Sequence, residues 1–395
     1  MDVPMQKDVQ ITVVGKVLNP NEQKVLALNR CLGEYIRLVK WYLLLNNTSK
    51  KYLHKNGYYY AREKFELGSA LIQTARDKAV EILKSFRKKG KKNSVLRLKR
   101  ISIRFDKRCY TFSKTTNVLT PYWLILTLNH KRISLPIAFG KRQERYIEST
   151  LRKELSFTTV DMVKHYGEWY AHFVLKKTVT FEDEPQTVIG IDIGEVNLAT
   201  AIALTDKPQK GKFWRGSEIK QTRGLYNHIR RRLGEKKLFK KIKEIGSKEK
   251  RIINQQLHIL ANQIIAYAKQ FSKPVIAMED LNGLKKHMSF SKKLNRRVHS
   301  MPYRKLQLYI EYKANIEKIE VRYIRARGTS KTCHRCGYVT QKVNGREFRC
   351  PKCGLLYNRD LNGAINIAQA VKSGLGWGSV TPPNSQMRLN AESFS

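Results

Sequence analysis

Three carboxylates stand at the edges of apolar stretches, where a charge is costly to desolvate unless something compensates it. Asp192 lies in Val188-Ile189-Gly190-Ile191-Asp192-Ile193, Glu279 in Val275-Ile276-Ala277-Met278-Glu279, and Asp360 in Asn358-Arg359-Asp360-Leu361-Asn362-Gly363. A divalent cation shared by all three would compensate them. Three oxygen donors with open coordination positions suit Mg²⁺ or Mn²⁺, which retain waters and take phosphate oxygens as further ligands. Two such ions can activate a water and stabilise the leaving oxygen of a phosphodiester. The pattern reads as a nuclease.

Each acid also has a plainer use. Asp360 can complement the N-terminal dipole of a helix, worth roughly 0.3 to 1 kcal/mol. Glu279 has Asp280 beside it, and neighbours on a strand face opposite ways, so the sequence leaves open which one points into a site. Gly190-Ile191-Asp192-Ile193-Gly194 also resembles the first phosphate loop of actin-like ATPases and sugar kinases. Those need a second glycine-rich Asp loop, and the sequence offers none.

Cys333-His334-Arg335-Cys336 and Cys350-Pro351-Lys352-Cys353 form two C-x2-C pairs with thirteen residues between them. Each pair can make a tight knuckle, and two knuckles close a tetrahedral thiolate site for zinc. Four thiolates leave no open position, so this zinc is read as structural, with His334 outside the ligand set. Arg335, Lys342, Arg346, Arg349 and Lys352 offer a secondary grip on nucleic acid. The two remaining cysteines, Cys31 and Cys109, lie in segments that read as helix and strand, and are taken as buried free thiols in a reducing cytosol.

The elements that must position these residues can be read coarsely. Val188 to Ile193, Leu198 to Leu204 and Lys212 to Arg215 read as a strand meander. A basic helical region from Lys220 to Arg251, with 13 basic and three acidic residues, continues through Ile259, Ile264 and Ala268. A strand at Pro274 to Glu279, a basic loop and helix to about Lys318, a strand at Val321 to Ala326, the cysteine motif and a helix from about Arg359 to Val371 follow. This order suggests a ribonuclease H-like sheet, with the first strand central, the fourth parallel beside it and the last helix across its end. Asp192, Glu279 and Asp360 can then converge. The segment Lys285 to Lys305, with eight basic residues and no acid, reads equally as a lid or as an ordinary surface loop.

Upstream, Val9 to Val14 begins a β-branched strand. Leu32, Ile36, Val39 and Leu43, then Ile72, Ala75, Ala79, Leu83 and Phe86, recur at helical spacing. Tyr52 and Tyr58-Tyr59-Tyr60 fall between those helices among lysines, placed for packing or for stacking on bases. From Lys84 to Arg108, 12 of 25 residues are basic, which suits a phosphate backbone. Strands at Ile101 to Phe105, Val118 to Leu128, Ile133 to Ile137, Leu155 to Val163 and Trp169 to Phe181 suggest a small antiparallel barrel. The N-terminal strand completes it, and helices from about 21 to 93 are inserted into it. Glu182-Asp183-Glu184-Pro185 marks a break before a new domain. The tail from Ser373 to Ser395 reads as disordered.

Charge sets the partner. Across 395 residues Lys plus Arg total 77 against 32 Asp plus Glu, a formal net charge of +45 with pI near 10.1. Nucleic acid is the polyanion that matches so large a surplus. No stretch is apolar for long enough to span a bilayer, and the N-terminus lacks a secretory pattern.

Gly190-Ile191-Asp192-Ile193-Gly194 with Asn197-Leu198-Ala199, Glu279-Asp280-Leu281-Asn282, Thr332-Cys333-x-x-Cys336, Cys350-Pro351-x-Cys353-Gly354 and Arg359-Asp360-x-Asn362-Gly363-Ala364-x-Asn366-Ile367 together resemble TnpB. TnpB is the transposon-encoded RNA-guided DNA endonuclease family related to type V CRISPR effectors and Fanzor. The motifs cover residues 188 to 370, and the amino-terminal half resembles the family in layout. The resemblance implies a wedge β-barrel over 1–20 and 94–184 with a helical recognition lobe at 21–93. It further implies a RuvC nuclease domain over 185–327 and 357–372, a zinc-ribbon insertion at 328–356 that binds target nucleic acid, and a tail at 373–395. Asp192, Glu279 and Asp360 would bind Mg²⁺ or Mn²⁺ and cut both DNA strands, while Cys333, Cys336, Cys350 and Cys353 would bind zinc. A guide RNA from the transposon end would supply specificity by pairing, and the protein would read a short adjacent motif as a nucleoid-associated, cytoplasmic monomer. Two other readings stand: a guided DNA-binding protein without cleavage, and a basic zinc-ribbon RNA-binding protein.

Overall fold

Alternating apolar residues build one sheet and continuous apolar runs the centre of a second, each with helices laid on it. The computed structural model describes residues 6–88, 96, 98, 101–129, 131–181, 185–205, 208–281, 301–325, 328–341, 343 and 345–374. They divide into two compact units, one of residues 10–177 and one joining 178–374 to residues 6–9. The basic segment Lys285 to Lys305 lies outside the described residues up to residue 300. So do Glu182 to Glu184, part of the run from Lys84 to Arg108, Ala326, Lys342 and the tail beyond 374.

The first unit holds a seven-stranded sheet, ordered β2-β6-β7-β1-β5-β4-β3, apart from residues 6–9 of β1 and 178–180 of β7. Its strands are β1 (Gln6–Val17), β2 (Ile103–Asp106), β3 (Tyr110–Lys114), β4 (Tyr122–Thr127), β5 (Arg132–Ala138), β6 (Ser156–His165) and β7 (Glu168–Thr180). β3 stands four places from β7, about 19 Å across a flat sheet. Yet the Phe112 ring on β3 lies 5.1 Å from Phe173 on β7 and 5.2 Å from Phe157 on β6. The sheet therefore curls around an aromatic core.

Three helices pack on that core: α1 (Glu22–Leu44), α2 (Lys50–Lys64) and α3 (Ser69–Lys88). Asn21 caps α1 by accepting from the Lys24 N–H at 3.0 Å, and Leu28, Cys31, Tyr35, Leu38 and Tyr42 form its buried stripe. Tyr52 and Tyr58 to Tyr60, in the segment between the two foreseen helices, ride on a further helix, α2, whose buried residues are Leu53, Gly57 and Ala61. The strand expected from Val118 is shorter. Asn117 accepts from the N–H groups of Leu119 and Thr120, holding a turn that splits β3 from β4. Helix α4 (Lys141–Leu151) was not foreseen, since only Tyr146, Ile147 and Leu151 of its residues are apolar and few of its side chains are buried.

The second unit carries a five-stranded sheet ordered β10-β9-β8-β11-β12. Its strands are β8 (Thr187–Asp192), β9 (Asn197–Leu204), β10 (Lys212–Arg215), β11 (Pro274–Asp280) and β12 (Glu320–Arg325). β8 to β10 form an antiparallel meander, whereas β11 runs parallel to β8 and to β12. β8 is buried along its whole length up to Asp192, as a central strand covered on both faces must be.

The basic helical region after β10 is two helices, α5 (Ser217–Glu235) and α6 (Phe239–Ala268), packed on each other. Lys237 takes a left-handed φ of 55°. Its N–H donates to the Gly234 carbonyl and that of Leu238 to Leu233, which ends α5 in a Schellman turn. Helix α7 (Tyr303–Ile316) packs on α6, the short hairpin of β13 (Glu347–Arg349) and β14 (Leu356–Asn358) carries the second knuckle between its strands, and α8 (Arg359–Lys372) crosses β8 and β9. Among the described residues no helix is long and apolar enough to cross a membrane.

Candidate metal centre and cysteine cluster

The pleat aims the first two acids. Val188 on β8 and Val275 and Ala277 on β11 pack with Ile367, Ala368 and Val371 of α8. Every second residue of a strand shares a face, so Gly190 and Asp192 on β8 and Glu279 on β11 look toward α8 as well. Asp280 points the other way. The register pairs Met278 with Ile191, which leaves Glu279 beside Asp192 at the ends of adjacent parallel strands.

The third acid comes from the helix itself. Gly190 lets α8 lie directly on β8: a Cβ there would stand 2.0 Å from the Ala364 carbonyl oxygen. One residue earlier, a Cβ on Gly363 would stand 3.1 Å from Asp192 Oδ2, so the helix also abuts the carboxylate. Asn358 caps α8, its Oδ1 accepting from the N–H groups of Asp360 and Leu361 at 3.0 and 3.2 Å. Asp360 thereby sits in the first turn, close to Asp192.

The electrostatics follow from that crowding. Asp192 keeps part of its surface open, but the protein around it desolvates its charge, and Glu279 and Asp360 add repulsion. Its carboxyl is pushed up to about 7. Burial raises Glu279 too, against a hydrogen bond from the Thr329 hydroxyl to its Oε1. Gln307, fully buried on α7, donates to the Glu279 carbonyl at 2.6 Å and fixes the backbone there. Asp360 Oδ2 accepts from Asn197 Nδ2 at 2.7 Å and from Arg346 Nη1 at 3.2 Å. Crowded, partly desolvated carboxylates that repel one another are the donor set a hard divalent cation relieves, and all three offer oxygen, so the residues fit Mg²⁺ or Mn²⁺.

The four cysteines close separately. Their Sγ atoms all lie within 4.8 Å of one another, with Cys333 to Cys353 at 3.7 Å and Cys336 to Cys350 at 3.5 Å. A tetrahedron with ~2.3 Å zinc–sulfur bonds has edges of about 3.8 Å. The arrangement fits zinc. Gly337 and Gly354 follow the second cysteine of each knuckle at φ of 73° and 69°, left-handed positions that favour glycine. Phe348 and Leu355 pack beneath the sulfurs.

Several participating residues were not singled out from sequence. Thr329 was among them; Asn197, Asn362 and Asn366 stood only as motif positions with no role attached, and Arg346 was noted only as a grip on nucleic acid. Asn362, fully buried, accepts at Oδ1 from the His334 backbone N–H at 3.1 Å and from His334 Nδ1 at 2.9 Å, and donates to the Thr332 carbonyl at 2.8 Å. Asn366 donates to the Thr329 and Thr332 carbonyls, both at 2.7 Å, and Gln369 to the His334 carbonyl at 3.2 Å. Residues 362, 366 and 369 form one helical face, so α8 is bolted to the first knuckle. The i, i+4, i+7 spacing of these amides was the available signal.

Known proteins resemble the chain in sequence and in fold. Residues 303–367 match the family model described as the Cas12f1-like TNB domain. The chain is 26% identical over 260 residues to TnpB-like protein MJ0751 of Methanocaldococcus jannaschii, covering 62% of this chain and 88% of that protein. It is 30% identical over 219 residues to the CRISPR-associated endodeoxyribonuclease Cas12f2 of a Micrarchaeota archaeon, covering 51% of this chain but only 40% of Cas12f2. In fold it resembles the Cas12f1 of a cryo-EM complex with sgRNA and target DNA, with a TM-score of 0.65 at 17% identity, over 87% of this chain and 80% of the other. The chain is thus a relative of the TnpB-like proteins and of the CRISPR-associated Cas12f endodeoxyribonucleases.

Proposed function

We propose that the chain is a transposon-encoded, RNA-guided DNA endonuclease that cuts double-stranded DNA beside a short adjacent motif, in a single RuvC-type site. One observation carries the reading. Asp192, Glu279 and Asp360 come from a central strand, its parallel neighbour and the helix across both, and the crowding pushes the Asp192 carboxyl up to about 7. The sheet order β10-β9-β8-β11-β12 supports a ribonuclease H-like core over 185–327 and 357–372. The sulfur cluster supports a zinc ribbon at 328–356. The curled seven-stranded sheet supports a wedge barrel over 1–20 and 94–184, with helices α1 to α3 as the recognition lobe at 21–93.

Mg²⁺, when bound, supplies Lewis acidity to the scissile phosphate and lowers the pKa of a coordinated water. The chain's own residues do the rest. Asp192 holds the centre from the end of β8, Glu279 from β11, and Asp360 from the α8 N-terminus, where Asn197 and Arg346 fix one of its oxygens. The relatives named as endodeoxyribonucleases and the neighbour solved with sgRNA and target DNA favour DNA as substrate and RNA as guide. The net charge of +45 suits that nucleic-acid load.

The test is cleavage by protein purified with its co-expressed RNA. Wild type should cut DNA matching the variable end of that RNA in Mg²⁺, and Asp192→Ala should lose cutting while retaining the RNA. Persistent cutting by Asp192→Ala would reject the site. An intact target with wild type, guide and Mg²⁺ would leave a guided binder instead.

A further inference from the structure

Hydroxyl groups in tight turns usually bond to their own backbone. Thr332 does so, donating to the Gly328 carbonyl at 3.0 Å. Thr329, in the same turn, does not. Its hydroxyl reaches across fifty positions of sequence to Glu279 Oε1. Its own carbonyl accepts from Asn366 Nδ2 at 2.7 Å, and Asn366 lies on α8, the helix that carries Asp360. The backbone of Glu279 is held independently by Gln307. A carboxylate at the end of a strand keeps rotational freedom about its side-chain bonds, so a donor on one oxygen selects the rotamer and leaves the other oxygen to a ligand.

We propose that Thr329 is a positioning residue for the Glu279 carboxylate, with Asn366 as its anchor on α8, so that one helix sets the geometry of two of the three acids. The inference rests on the metal-binding reading of Asp192, Glu279 and Asp360. It gives the segment before the first cysteine knuckle a task at the acids that is distinct from holding zinc.

The probe is Mn²⁺ added to full-length, zinc-loaded protein, with bound Mn²⁺ read from the loss of the free-ion electron paramagnetic resonance signal. Zinc content and thermal melting report whether each variant has folded. Thr329→Val keeps the shape and removes the donor, and should weaken Mn²⁺ binding by about tenfold or more, the usual cost of losing a partner behind a metal ligand. Thr329→Ser restores the hydroxyl and should bind within about threefold of wild type by the same rule. Asn366→Ala should shift in the direction of Thr329→Val at unchanged zinc content. If Glu279→Gln loses affinity while Thr329→Val binds like wild type, the positioning role is wrong and the metal site stands. If Glu279→Gln itself binds Mn²⁺ like wild type, both fall. Should Thr329→Val fail to load zinc, the Ser variant decides: affinity lost despite the restored hydroxyl contradicts the proposal.

Discussion

Gly190 and Ala364 touch through their backbones: a Cβ on the glycine would stand 2.0 Å from the alanine carbonyl oxygen. That contact sets how closely α8 lies on β8, and hence how near Asp360 comes to Asp192. A helix carbonyl engaged in its own ladder cannot swing aside as a flexible side chain would.

Gly190→Ala should therefore be costly. Overpacking a well-filled interface costs typically about 1 to 3 kcal/mol, and the helix must lift off the strand. The melting temperature should fall by several degrees, and the variant should lose cleavage well below it. Gly363→Ala meets only the end of a side chain, Asp192 Oδ2 at 3.1 Å, and should be milder for stability while still disturbing metal binding. Equal melting curves for wild type and Gly190→Ala would refute the packing account.

Proton and metal should compete at Asp192. Desolvation, then Glu279, then Asp360 raise its carboxyl to about 7 in the metal-free protein. Above that pH Asp192 is ionised and ready. Below it the metal must displace a proton, so Mn²⁺ affinity should fall up to about tenfold per pH unit. Calorimetric titration between pH 8 and 5.5 checks this. Affinity that stays flat down to pH 5.5 would mean that Asp192 keeps an ordinary carboxylate pKa.

The two cysteines outside the cluster should be inert. Burial, the largest cause in each case, pushes the Cys31 thiol up to about 12 and the Cys109 thiol up to about 11. Thiolate is the reactive form, so both stay protonated and unreactive at pH 8. Iodoacetamide should label neither in the native zinc-loaded protein and both after denaturation, as mass spectrometry of the peptides would show. Rapid native labelling of either would contradict its burial.

Zinc removal should reach beyond the knuckles. Cys333, Phe348, Cys350 and Leu355 form a core of their own beside the sulfurs, too small to hold without the metal. Through Asn362 and Asn366 that knuckle is tied to α8. A chelator, or Cys350→Ser, should lower the melting temperature and also weaken Mn²⁺ binding at the acids. Unchanged Mn²⁺ affinity in zinc-free protein would show the two centres to be independent.

What could be read beforehand divides along physical lines. The strand ending at Asp192 was visible because a central strand buried on both faces must be apolar throughout, and the knuckles were visible because four thiolates demand regular spacing. Which of Glu279 and Asp280 turns inward was not, since only packing of Val275 and Ala277 under α8 selects the face. The break between α5 and α6 was hidden because Lys237, not glycine, takes the left-handed cap. Helix α4 escaped because only Tyr146, Ile147 and Leu151 mark its core-facing side. Thr329 finds its partner fifty positions away, so it looked like an ordinary polar residue until the fold assembled the site, while Asn197 and Asn362 carried no role beyond their place in a motif.

The most direct measurement is an anomalous diffraction map from crystals of the zinc-loaded protein soaked in Mn²⁺. The account predicts a manganese peak among the carboxylates of Asp192, Glu279 and Asp360, absent from Asp192→Ala, with the zinc signal confined to the four cysteines. Manganese bound elsewhere, with no peak among those three acids in wild type, would contradict it.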